Sequence, residues 1–179
     1  RDPVRKPATF NDWVIVYHYN NYSDAEMLEQ NMKKASGAYG IKVNSCKWLE
    51  ISEQKAPAWG EAIKKHLAAN PKTQIVVVLI PPPAKPHVYP VVKRICNKEL
   101  GVPSQVIVTT SFAKNALSVA SKILLQMNAK VGLPIWVTSN PTNWGKKKAM
   151  IIGVDVFHNV GKQKKSCIGF CSTLDNEFT

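Results

Sequence analysis

The sequence contains no run of about 18 apolar residues, the length a helix needs to cross a bilayer, so no membrane partner is expected. Arg1–Pro7 carries no apolar segment of the kind that directs a chain to secretion. The expected location is therefore intracellular, in the cytoplasm or the nucleus, and Arg1 in place of Met is expected of a piece excised from a longer protein. Cysteine is sparse: Cys46, Cys96, Cys167 and Cys171 form no C-x-x-C pair and have no histidine at zinc-binding spacing, which excludes a zinc finger. They are expected to be reduced core thiols, since four residues along one strand hold Cys167 and Cys171 too far apart for an unstrained bridge. Two phosphate-binding devices are also missing. No G-x-G-x-x-G follows an expected strand and no G-x-x-x-x-G-K-[ST] occurs, which argues against dinucleotide enzymes and P-loop nucleotidases. Acid is nearly absent from one stretch: between Ala62 and Val154, thirteen Lys and Arg face the single acid Glu99, whereas the remainder holds eleven residues of each sign. The whole net charge of +12 lies there. A one-sided field of this kind implies a polyanionic partner, most simply nucleic acid, against the plainer alternative of a solubilising surface.

What is present is enough for one compact domain and a short extra piece: 179 residues, 45% apolar and 20% charged. Trp13–Tyr17 is rich in β-formers, and Tyr22 onward offers Ser23 as an N-cap with Glu26 three residues later, so a strand is followed by a helix reaching about Ala35. Lys47–Ile51 reads as a strand and Ala58–Ala69 as a helix ended by Asn70-Pro71, with His66 on a structural or solvated flank. The unbroken apolar run Gln74–Ile80 reads as a central parallel strand buried on both faces. The stiff loop Pro81–Pro86 follows, then a helix Val88–Asn97 with Pro90 in its first turn, a strand Gln105–Thr109 and a helix from about Ala113 to Val131. Strands alternating with helices four times predict a Rossmann-like, doubly wound parallel α/β sheet with helices on both faces. Ligands in such sheets bind outside the carboxyl ends of strands, which makes the proline-rich loop a candidate rim. Beyond Lys146-Lys147-Lys148, the segments Ala149–Phe157 and Ser166–Thr173 predict a C-terminal β-hairpin joined by the turn Asn159–Lys165, too small to be stable by itself.

Tyr89 and Lys93 share one helix face, as do Lys122, Gln126 and Lys130, opposite Leu117, Ala120, Leu124 and Met127. Each stripe is either a solvated face or one wall of a cavity in which ammonium groups neutralise a phosphate while an aromatic ring stacks on a base. The order Val88-Tyr89-Pro-Val-Val-Lys93-Arg94, then Leu100-Gly-Val-Pro-Ser-Gln105, then Gln126-Met-Asn-Ala-Lys130-Val-Gly resembles the pocket for the guide 5′ end in the MID domain of Argonaute proteins, in the detail of the Piwi branch. Ile151-Ile-Gly153-Val-Asp155-Val-Phe-His158 resembles the first strand of the PIWI domain with its first catalytic aspartate.

This resemblance implies a division into a leader at 1–12, a MID domain at 13–139 and the start of a truncated PIWI domain, ribonuclease H-like, at 140–179. It implies that Tyr89 stacks on the first base and bonds the 5′ phosphate, that Lys93 and Gln105 hold phosphate oxygens, and that Lys130 serves the 5′ phosphate and the third phosphate. Many relatives place a lysine where Gln126 stands; with glutamine, a divalent cation, Mg²⁺, is expected to supply the missing charge between guide phosphates. Pro83, Ala84, Lys85, Pro86, His87 and Val88 match the nucleotide-specificity loop, with uridine the expected first base. The implied partners are a small guide RNA with a 5′ phosphate and, in the parent protein, target RNA and the other Argonaute domains. Asp155 is catalytic only in a full-length parent, because two-metal cleavage needs several carboxylates; Asp175 and Glu177 sit in an apparent tail, and His158 is not expected to be catalytic. The chain is therefore expected to bind RNA without cutting it. The alternatives are a nonspecific basic module that binds RNA or docks protein, and an enzyme of a small phosphorylated metabolite whose sole acid–base candidate is His87.

Overall fold

The computed structural model describes residues 3–112, 115–137, 149–158 and 166–174, which fall into two units, Arg1–Ile135 and Trp136–Thr179. The first unit is built on four parallel strands: β2 (Trp13–His18), β4 (Lys47–Ile51), β5 (Ile75–Ile80) and β6 (Ser104–Val108), in the order β4-β2-β5-β6. A short parallel pair, β1 (Thr9–Phe10) with β3 (Lys42–Val43), lies apart from it. Between the strands run α1 (Tyr22–Ser36), α2 (Ala56–Ala69) and α3 (Lys85–Lys93), and after β6 come α4 (Thr109–Phe112) and α5 (Ala116–Lys130). This is the doubly wound α/β architecture expected from the alternation of strands and helices.

The period-two alternation of strand side chains splits the core into two layers. Trp13, Ile15 and Tyr17 of β2 and Ile75, Val77 and Leu79 of β5 meet Leu28 and Met32 of α1 and Leu124 and Met127 of α5. The intervening residues Val14, Val16, Val76, Val78 and Ile80 meet Trp59 and Ile63 of α2 and Val88 and Val92 of α3. Both faces of β2 and β5 are thus covered, which is why their sequences lack polar alternation. Helix α3 and the π-helical turn Arg94–Glu99 that continues it pack so closely on α2 that a Cβ at Gly60 would stand 3.0 Å from Val91 Cγ1 and 2.7 Å from Ile95 Cδ1, so this position excludes any larger residue without a shift of those side chains.

Several boundaries differ from expectation for local reasons. Helix α1 starts at Tyr22 with Asn21 before it, and Asn21 Nδ2 donates to Asp24 Oδ2 at 2.9 Å; Ser23 lies inside the first turn because the 3₁₀ turn Tyr19–Asn21 has already wound the chain. The helix passes through a second 3₁₀ turn, Gly37–Tyr39, and stops at Gly40, whose φ of 71° places it in the left-handed region. The expected stiff loop is largely helical: Pro82–Ala84 forms a 3₁₀ turn and α3 opens at Lys85, three residues early, so Pro90 lies inside the helix and not in its first turn. Prolines at both turn starts pre-set a helical φ, and the missing N–H of Pro90 leaves the helix one bond short. Strand β6 begins one residue early, at Ser104, and Thr109 belongs to α4. The long helix expected from about Ala113 is α5, which begins at Ala116 and which Asn115 caps by accepting the Ser118 N–H at 3.4 Å; the short α4 precedes it, and Ala113 and Lys114 lie outside the described residues.

Residues assigned to a leader join the core. Val4, Ala8 and Phe10 are buried, and the fully buried Asn128 of α5 accepts the Ala8 N–H at 2.8 Å while donating to Lys6 O and Leu133 O. The second unit holds the expected antiparallel hairpin, β7 (Ile152–His158) with β8 (Ser166–Ser172), pairing Val154 with Phe170 and Val156 with Ile168. Lys146-Lys147-Lys148, the turn Asn159–Lys165, Asp175 and Glu177 lie outside the described residues. The thiol expectation needs correction: Cys96 is buried and Cys46 half-buried, but Cys167 and Cys171 are exposed, because a two-stranded ribbon has no second layer in which to bury either face. All four are free.

Candidate functional site

Among the described residues strand β6 pairs only with β5, and its other edge faces the space between α3 and α5. Both helices run back toward the start of β6, and each brings a lysine to it from its last turn. Lys93 Nζ donates to Ser104 O and to Ser104 Oγ, both at 2.9 Å. Lys130 Nζ donates to the same Ser104 O at 2.8 Å and to Gln105 Oε1 at 2.6 Å. One carbonyl oxygen therefore holds two ammonium groups. The ring of Tyr89, one turn before Lys93, has its centroid 5.9 Å from Lys93 Nζ. The chain reaches this geometry through the π-helical turn Arg94–Glu99, closed by Leu100 N–H to Ile95 O at 2.9 Å, and through Gly101, which takes a φ of 65° to turn into β6.

Two hollows lie along this edge. One of about 320 Å³ is lined by Lys93, Asn97, Ser104 and Lys130; the other, of about 650 Å³, is lined by Pro82, Lys85, Tyr89, Gln105 and Ile123 among others. Lys130 joins the pair by bonding Gln105, which is itself nearly buried. Burial pushes the pKa of Lys93 down, and burial together with the charge of Lys93 pushes that of Lys130 down. Among the described residues no carboxylate bonds either ammonium; Glu99, the sole acid of the basic stretch, is bound to Lys64 and Arg94. Two partly desolvated cations with only neutral acceptors form a site preset for an anion, and the negative ends of the α3 and α5 dipoles favour ammonium at these positions. A phosphate seated on the lysines leaves the larger hollow, with the Tyr89 ring, for a flat ring system.

The structure thus brings together Tyr89, Lys93, Gln105 and Lys130. It places them differently from the general rule for such sheets: the lysines lie at the amino end of an edge strand and at helix C-termini, not at a helix start. Gln126 is exposed one turn before Lys130 and, like Lys122, bonds none of them. Leu117, expected on the apolar side, is 40% exposed; Ala116 and Val119 carry the apolar face at the start of α5 instead. Of the segment Pro83–Val88, Lys85 reaches the larger hollow, Val88 is buried in the core, and His87 is exposed on the first turn of α3. No acid–base group therefore lines either hollow by way of His87, the candidate an enzyme of a phosphorylated metabolite requires. Ser104 and Asn97 were missed in the sequence; the signal was the Ser104-Gln105 pair at a strand start, which puts a hydroxyl and an amide on adjacent positions of an open edge.

Asp155 stands exposed on β7, with Oδ1 accepting the Val156 N–H at 2.9 Å, and His158 Nδ1 lies 2.8 Å from Ser166 Oγ. Among the described residues no three of His, Cys, Asp or Glu cluster closely enough to hold a metal ion, and no helix is long and apolar enough to cross a membrane.

Residues 75–179 match the family described as the Piwi domain. The chain is 30% identical over 179 residues to Piwi-like protein 1 of Gallus gallus, covering 99% of the chain and 20% of that protein, so it spans about a fifth of the length of the curated relatives it matches. Its fold is similar to the crystal structure of Drosophila Piwi, with a TM-score of 0.86 at 18% identity over 97% of the chain and 24% of the other. It is also similar to Kluyveromyces polysporus Argonaute with a guide RNA, with a TM-score of 0.73 at 19% identity over 99% of the chain and 23% of the other.

Proposed function

The chain belongs to the Piwi family, and from that premise we propose that its α/β unit anchors the 5′-phosphorylated end of a small guide RNA as the MID module of a Piwi-type Argonaute in RNA silencing. The observation that carries this reading is the pair of ammonium groups on one carbonyl oxygen, without a carboxylate, beside an aromatic ring at the mouth of a hollow. A phosphate dianion replaces Ser104 O as their common acceptor and removes the mutual repulsion of the two charges, which a neutral carbonyl does not. The guide RNA held by the similar yeast Argonaute supports the same class of ligand.

On this reading Lys93, Gln105 and Lys130 hold the 5′ phosphate, Lys130 reaches also toward the third phosphate, and Tyr89 stacks on the first base, which Pro83–Val88 restricts to uridine. Gln126 offers one neutral amide oxygen, and the neighbouring ammonium groups repel a cation, so these residues fit Mg²⁺ only when guide phosphates supply the anionic ligands. Bound there, the ion supplies positive charge between two phosphates. Residues 140–179 read as the beginning of the PIWI domain, in which Asp155 serves cleavage together with further carboxylates, and the α/β unit supplies the binding. The test is affinity for one RNA with a 5′ phosphate and with a 5′ hydroxyl at matched salt. A clear preference for the phosphate supports anchoring, and equal affinities leave only a nonspecific basic surface.

A further inference from the structure

The smaller hollow contains a group that the reading above leaves unused. Asn97 lies in the π-helical turn, four residues after Lys93, and lines the same wall as Lys93, Ser104 and Lys130. The hydrogen-bond directions at its side chain are dictated in sequence. An ammonium group only donates, so Ser104 Oγ must accept from Lys93, and its own proton has to point elsewhere. Its acceptors are Asn97 Oδ1, at 3.4 Å, a long bond, and the sulfur of the buried Cys96 beside it. With its oxygen turned to the hydroxyl, the Asn97 amide presents Nδ2 away from Ser104, and among the described residues that NH₂ has no protein partner.

We propose that Asn97 is a further phosphate-directed residue of this site, donating through Nδ2 to the bound anion while its Oδ1 holds the Ser104 hydroxyl that aims Lys93. The inference rests on the reading of the site as a 5′-phosphate anchor. Its neutrality matters as much as its donor: it orients a lysine without neutralising it, whereas a carboxylate at this position would compete with the phosphate for both ammonium groups. The widened turn is what carries the amide to the strand start, and single π-helical turns of this kind recur at functional sites.

The experiment measures affinity of the whole chain for a short RNA bearing a 5′ phosphate and for the same RNA with a 5′ hydroxyl, in wild type, Asn97→Ala and Asn97→Asp, with thermal melting of each. The expected result is a loss of about tenfold for phosphorylated RNA in Asn97→Ala, the scale of one hydrogen bond to a charged group. Hydroxyl RNA and the melting temperature should be unaffected. Asn97→Asp should lose more than Asn97→Ala, and added salt should narrow the gap between them, because the extra loss is electrostatic. Wild-type preference for the phosphate with Asn97→Ala indistinguishable from wild type overturns the role of Asn97 and leaves the anchor standing. Equal loss for both RNAs, or equal loss in the two variants at every salt concentration, also overturns it. Absence of any phosphate preference in wild type overturns the anchor and this inference together.

Discussion

Replacing Lys130 by methionine separates an anion site from a structural peg. In the unliganded chain Lys130 holds Ser104 O and Gln105 Oε1, so a sceptical reading is that it merely covers the open edge of β6. Two ammonium groups sharing one oxygen stand roughly 5–6 Å apart, and their repulsion is about 1–3 kcal/mol for effective dielectric constants between about 80 and 20. Methionine removes that repulsion and keeps the apolar stem. It also removes two bonds from a half-exposed cation, about 1 kcal/mol each, while Lys93 still holds Ser104 O. The terms nearly cancel, and the melting temperature should move by no more than about 3 °C, because 1 kcal/mol corresponds to about 2–4 °C in a chain of this size. Binding behaves differently. A charge-assisted bond to phosphate contributes about 1.5–3 kcal/mol, from which about 1 kcal/mol is subtracted for the carbonyl bond given up. The remainder, about 0.5–2 kcal/mol, predicts a loss of about 2- to 30-fold for 5′-phosphorylated RNA and little change for 5′-hydroxyl RNA. Fluorescence anisotropy with both RNAs and a thermal melt of the same samples read all three quantities. A melting temperature lower by more than about 5 °C, with both RNAs weakened alike, would refute the reasoning and make Lys130 a peg.

Tyr89→Ala should weaken a bound nucleoside monophosphate by about 1–3 kcal/mol through lost stacking, with Tyr89→Phe closer to wild type, in calorimetric titration; unchanged affinity in the alanine variant would exclude the ring from the site. Comparison of the four nucleoside monophosphates should show uridine preferred over the purines, and indistinguishable affinities would make Pro83–Val88 only a connector. Mg²⁺ should tighten phosphorylated RNA more than unphosphorylated RNA at matched ionic strength, and Gln126→Lys should reduce that dependence; no difference between Mg²⁺ and chelator retires the metal. Because the pKa values of Lys93 and Lys130 are both pushed below the ordinary 10.5, their charge is lost earlier than that of exposed lysines as pH rises. Phosphate affinity measured against pH should therefore begin to fall while nonspecific RNA binding is still flat, and a parallel fall of both would count against the pair.

Much of this protein was legible without coordinates because the relevant forces act locally. The apolar run at 75–80 announces a strand covered on both faces, the helical spacings of Tyr89 with Lys93 and of Gln126 with Lys130 put those pairs on common faces, and the charge imbalance between Ala62 and Val154 points to a polyanion. Boundaries were less legible where turns wind ahead of a helix, as at Tyr19–Asn21 and Pro82–Ala84, since a 3₁₀ turn passing directly into an α-helix has no cap of its own to mark the transition. The leader was misjudged because the residues that bury Val4, Ala8 and Phe10 and the asparagine that holds Ala8 come from distant segments.

The site itself divides along the same line. Composition and spacing determined which residues carry charge and which ring accompanies them, for those properties belong to each residue and its near neighbours. That Lys93 and Lys130, 37 positions apart, meet on one oxygen was decided only by the sheet. Two helices on opposite faces of β5 and β6 return past the same open strand edge, and the edge carbonyl, lacking a strand partner, draws both ammonium groups to it.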